Sequence, residues 1–160
     1  MNLTDIQDTL IGAWSGNNLL RLSWLTPSDY FSASELSVGQ AARGKFLTLT
    51  YTWSHENVSQ EGLLVLGHDQ KQEVATAAWV DSWHKSNRIM SCQGTIKQQG
   101  VIDLRGSYEA SPGSDWGWRI VIAAHSENDL QIVMYNCSPE GAEELAVQAD
   151  YKRVSQKDLG

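Results

Sequence analysis

Hydrophobic and polar residues alternate along most of this chain. Residues 44–53 place Leu47, Leu49, Tyr51 and Trp53 in one phase and Thr48, Thr50 and Thr52 in the other. A period of two with β-branched and aromatic residues is the mark of a strand with one buried face. Residues 88–97 set Met90, Cys92 and Ile96 against Ser91, Gln93, Thr95 and Lys97, and residues 101–109 set Ile102, Leu104 and Tyr108 against Asp103, Arg105, Ser107 and Glu109. Residues 143–153 do the same with Leu145, Val147, Ala149 and Tyr151. Turn-forming clusters separate such runs: Thr26-Pro27-Ser28-Asp29, His55-Glu56-Asn57, His68-Asp69-Gln70-Lys71, Lys85-Ser86-Asn87, Gln98-Gln99-Gly100, Ser111-Pro112-Gly113-Ser114, Ser126-Glu127-Asn128-Asp129 and Ser138-Pro139-Glu140-Gly141. That spacing predicts about ten strands joined by short hairpins rather than strand–helix–strand units.

Only the N-terminal segment breaks the period. Leu3, Ile6 and Leu10 share one helical face, Thr4-Asp5-Ile6-Gln7 has capping-box spacing, and Gly12 stops the helix. A short helix packed as a cover on the domain is expected. The polar tail 155–160 is expected to fray, and residues 1–160 otherwise read as one domain. A meander of this length must dispose of its edge strands, and closure into a barrel removes them. The expected fold is therefore all-β, an antiparallel up-and-down barrel with one short N-terminal helix, with a sandwich as the alternative. A barrel of about eight to ten strands has room for one small ligand.

Charge narrows the function classes. Twelve basic residues against nineteen acidic ones give a net charge of −7, with no basic cluster, which argues against nucleic acid as a partner. The longest apolar run, Ile120 to Ala124, is too short to span a membrane as a helix. The opening Met-Asn-Leu-Thr-Asp-Ile-Gln-Asp has no basic or apolar signal segment, so the expected location is the cytoplasm. Cys92 and Cys137 fall in strand-like segments and read as small buried apolar groups.

Gly12-Ala13-Trp14 resembles the Gly-x-Trp that opens the first strand of calycin-superfamily barrels. Taken with Ala78-Trp79-Val80-Asp81-Ser82-Trp83-His84, Gly117-Trp118-Arg119-Ile120 and Tyr151-Lys152-Arg153, it resembles an uncharacterised bacterial lipocalin-like family of unknown function. The resemblance covers Gly12 to Arg153. It implies a lipocalin-like barrel, closed at one end by Trp14 packed on Arg153, and no particular activity. Related barrels do not transfer their sites. Fatty-acid-binding proteins hold a carboxylate with Arg-x-Tyr, whereas this chain has Tyr151-x-Arg153. Nitrobindin-like barrels hold haem through a late histidine, but His125 here sits in no comparable motif. No cofactor is implied.

Several residues carry candidate chemistry. Asp81 and His84 form a titratable pair suited to acid–base work, provided the strand ends near Ser82, because positions three apart on a strand face opposite ways. Trp53, Trp79 and Trp118 offer the aromatic walls of a ligand pocket, and Tyr108 and Tyr135 offer hydroxyls. Arg119 is a candidate anchor for an anionic ligand group if it points inward. Strand parity pulls the other way, since Trp118, Ile120 and Ile122 share the opposite phase. The histidines His55, His68, His84 and His125 stand singly, with no metal-site spacing. The expected function is binding of a small hydrophobic molecule inside the barrel. A cofactor-independent enzyme using Asp81 and His84 is the first alternative. A filled barrel acting as a homodimer or interaction protein is the second.

Overall fold

In a computed structural model, which describes residues 1–84 and 87–155, the chain forms one helix and ten strands. Lys85 and Ser86 of one predicted turn, and most of the polar tail, lie outside the described residues. The helix α1 (Leu3–Leu10) buries Leu3, Ile6 and Leu10, as its spacing requires. Its cap differs from the expectation. Asn2 is the N-cap: its Oδ1 accepts the Asp5 N–H at 3.2 Å, and Asp5 Oδ2 accepts the Asn2 N–H at 2.8 Å. Asn is a stronger cap than Thr, and Asp at the third helical position closes the box two residues upstream of Thr4. Gly12 then turns the chain at φ +139°, a conformation that disfavours any side chain.

The strands are β1 (Gly12–Arg21), β2 (Asp29–Ala41), β3 (Phe46–His55), β4 (Val58–Asp69), β5 (Val74–Asp81), β6 (Met90–Ile96), β7 (Ile102–Tyr108), β8 (Trp116–Ser126), β9 (Asp129–Cys137) and β10 (Glu143–Arg153). Each pairs antiparallel with its sequence neighbours, and β1 also pairs with β10, so the barrel closes and no edge is left. The sandwich alternative is thereby excluded.

Closure gives the molecule two different ends. At one end α1 covers the barrel and Trp14 is fully buried. The Arg153 guanidinium lies over the Trp14 ring, 4.2 Å from its centroid. It donates to the carbonyls of Thr9, Ile11 and Glu127, while Trp14 Nε1 donates to the Leu10 carbonyl. The last carbonyls of a helix lack intrahelical partners, and this arginine and indole supply them. Above the plug the core is solid, built from Leu49, Leu66, Ile102, Leu104, Ile120, Ile122 and Leu130. At the other end the hairpin loops after β1, β3, β5, β7 and β9 surround an open mouth. Six of the seven tryptophans, all but Trp14, lie at or near it. Cys92 and Cys137 are free and buried, and burial pushes the Cys92 thiol up to about 11.

Candidate functional site

Strand register assembles the site. Tyr51 on β3 pairs with Gly62 on β4, and Gly62 pairs with Asp81 on β5. All three face the barrel interior. With no side chain at the middle position, the Tyr51 phenol lies across β4. A Cβ there would sit 2.1 Å from Tyr51 Cζ. The hydroxyl thus reaches Asp81 Oδ2 at 2.7 Å and accepts Trp79 Nε1–H at 2.9 Å. Burial and the neighbouring Asp81 carboxylate push the Tyr51 hydroxyl well above its ordinary range.

β5 ends at Asp81, which meets the condition for Asp81 and His84 to come together. Asp81 Oδ1 accepts the backbone N–H of Trp83 at 2.8 Å and of His84 at 3.1 Å, and Trp53 Nε1 donates to Oδ2 at 3.3 Å. The carboxylate is thus committed to the start of the loop and to two aromatic donors. It makes no hydrogen bond to the His84 ring among the described residues, so the two do not form an oriented acid–base pair. The imidazole instead turns inward among Trp53, Trp79, Trp83 and Trp118, with ring centroids 4.9–5.7 Å away. Burial lowers its pKa to about 4, outweighing the opposite pull of Asp81, so it is neutral at physiological pH.

Beyond His84 the mouth opens into a cavity of about 470 Å³. Trp79 and Trp118, stacked 5.4 Å apart, form one wall, and Trp24, Trp83, Tyr108 and Leu20 are among the other apolar groups that line it. Tyr108 donates to Asn136 Oδ1 at 2.5 Å. The indole Nε1 of Trp118 is buried and has no hydrogen-bond partner among the described residues. Beneath His84 lies a void of about 10 Å³ bounded by Asn18, Tyr51, Trp53 and Asp81, about the space of one water molecule. Hollows of about 790 and 900 Å³ on the outer wall gather mainly solvent-facing strand residues such as Thr50, Glu61, Thr76 and Gln93. No group of three or more His, Cys, Asp or Glu side chains among the described residues is placed to hold a metal ion.

Of the sequence candidates, Trp79, His84, Tyr108 and Trp118 line the open cavity, while Trp53 and Asp81 lie beneath it. Arg119 and Tyr135 do not join them, which corrects the expectation of an inward arginine. They share the outward phase of β8 and β9, where Arg119 lies 5.4 Å from the Tyr135 ring centroid. Arg119 donates to both oxygens of Asp103 at 2.8 Å and to Glu143 at 3.0 Å. This bidentate pair holds Asp103 down at about 2. The opposite phase places Trp118, Ile120 and Ile122 in the core, so the strand has no inward position left for the guanidinium. Sequence reasoning missed Asn18, Gly62, Trp24 and Asn136. Strand parity with Trp14 and Leu20, and with Ile132 and Met134, is the signal that could have found Asn18 and Asn136; Gly62 and Trp24 become visible only from register and loop packing.

The fold and the cavity define a class: a small closed antiparallel β-barrel, plugged at one end and opening at the other onto an aromatic pocket. The chain belongs to the DUF1579 family of proteins of unknown function, whose model matches residues 7–153. No curated protein matches its sequence. Among solved structures it is similar to Rv2717c from M. tuberculosis, with a TM-score of 0.66 and 14% identity over 96% of this chain and 97% of that one. It is also similar to the S-type phycobiliprotein lyase CPES from Guillardia theta, with a TM-score of 0.66 and 12% identity over 98% and 94% of the two chains. At such identities the likeness shows the fold alone. No helix among the described residues is long and apolar enough to cross a membrane.

Proposed function

We propose that the protein binds a small, largely apolar molecule in the open end of a lipocalin-like barrel. The observation that carries this reading is the cavity of about 470 Å³, walled by Trp79, Trp83, Trp118 and Tyr108. A concave, mostly aromatic site with a few polar groups is the usual form of a small-molecule pocket. Trp118 adds support, since its buried indole N–H finds no acceptor among the described residues and a bound group could accept it. The neighbour described as a phycobiliprotein lyase points the same way, as fold-level analogy only. The enzyme alternative draws no comparable support, because Asp81 anchors the loop rather than the imidazole.

Native mass spectrometry of protein purified from its own host tests the reading. A co-purifying molecule is expected, weakened in Trp83→Leu at the pocket and retained in Arg119→Ala on the outer wall. Clean apo masses, together with no displaceable binding of an environment-sensitive apolar dye, would overturn it.

A further inference from the structure

Four indoles and one carboxylate surround a single imidazole. The His84 centroid lies 5.6 Å from Trp53, 5.7 Å from Trp79, 4.9 Å from Trp83 and 5.4 Å from Trp118. Asp81, only 7% exposed, binds the backbone N–H of His84 and bounds the same inner void as the ring. Indole faces carry the negative end of an aromatic quadrupole, and indole is the best aromatic partner for a cation. At the mouth, Arg21 is tied to Asp29 and Arg88 to Glu109, whereas Glu144 makes no ion pair among the described residues. The described charges around the pocket therefore sum to a negative field, as does the chain at −7. Asp81 pulls the His84 ring toward its charged form, but burial outweighs that pull and keeps the ring neutral.

We propose that the ligand of this pocket is an organic cation, a methylated ammonium or similarly weakly hydrated head on an apolar body. This rests on the reading of the open end as a ligand pocket. The head takes the place of the His84 ring, whose side chain rotates aside, and the body lies in the outer cavity. An imidazolium escapes the cost of burial by releasing its proton. A quaternary ammonium has no proton to release, presents methyl groups to the indoles and loses less hydration on entry. A carboxylate ligand would instead meet Asp81 and Glu144 as like charges, with both described arginines at the mouth already paired.

The test compares benzyltrimethylammonium, its neutral carbon isostere neopentylbenzene and the anion phenylacetate, by calorimetry and tryptophan fluorescence. The cation is expected to bind about tenfold tighter than the isostere. His84→Ala, which vacates the seat, should tighten the cation further. Trp83→Leu, at a half-exposed loop position, should weaken the cation at least about fivefold while changing the isostere by less than about twofold. Equal or better binding of the neutral or anionic probe would overturn the cation inference and leave the pocket reading standing. Silence of all three probes in wild type and His84→Ala overturns the cation inference as well. An apolar dye displaced from the mouth would then preserve the pocket reading, and failure of the dye too would remove both.

Discussion

Single residues decide the chemistry of the pocket. Gly62 is the clearest case, because a methyl group there collides with the Tyr51 ring. Gly62→Ala should lower stability by about 2–3 kcal/mol through overpacking and loss of the phenol bond to a buried carboxylate. Urea denaturation checks this, and in Tyr51→Phe the same substitution should cost less, since the bond is already gone. His84 makes a pH prediction with a definite sign. Its pKa is about 4 in the fold against 6.5 for the free side chain. Between those values the unfolded chain takes up a proton that the folded chain does not. The contribution is therefore full above pH 6.5 and declines as pH falls toward 4. The urea midpoint of wild type should drop across that window more steeply than that of His84→Gln, and parallel curves would contradict the burial of the ring.

At the scale of elements, the helix and the last strand depend on one another. Arg153 holds the C-terminal carbonyls of α1 and covers Trp14, joining the first and last segments of the described chain. Arg153→Ala should cost about 2–3 kcal/mol, because it removes the charge-assisted hydrogen bonds and the cation–π stacking on Trp14 at once. Hydrogen exchange should locate the loss in α1 and leave the strands near the open mouth protected. Uniform loss of protection across the barrel would mean that the plug also sets global stability.

For the molecule as a whole, the barrel keeps its ion network outside and its aromatic pocket inside, with a solid layer between the pocket and the plug. Arg119 belongs to the outer network with Asp103, Glu143 and Lys97. Arg119→Ala should lower stability by about 1–2 kcal/mol, because Asp103 is largely buried and keeps only Lys97. It should leave ligand affinity unchanged. Lost affinity in a stably folded Arg119→Ala would show that the outer wall communicates with the cavity. The open end also carries most of the exposed large apolar side chains, including Trp24, Phe31, Val58 and Ile89, which is where a hydrophobic ligand would first make contact.

Much of the architecture was written in the order of residues. Alternation in 44–53 and 143–153 marked β3 and β10, the Leu3–Ile6–Leu10 spacing marked the helix, and the turn clusters marked most of the hairpins. These are local signals, because a strand exposes its two faces every second residue and a turn needs particular backbone angles. Parity favoured Trp118, Ile120 and Ile122 inside and Arg119 outside, against the reading of Arg119 as an inward anchor. The spacing of Asp81 and His84 brought them near each other once the strand ended. Only the tertiary structure decided what they do there. Inter-strand register set Gly62 between Tyr51 and Asp81, which turned the carboxylate toward a phenol, an indole and two backbone amides and away from the imidazole. Packing of the loop then put His84 among indoles drawn from β3, β5, β8 and the loop itself, a grouping far apart in sequence. Local pattern fixes which face a side chain takes; which partners meet on that face depends on register and closure, and these are properties of the whole barrel.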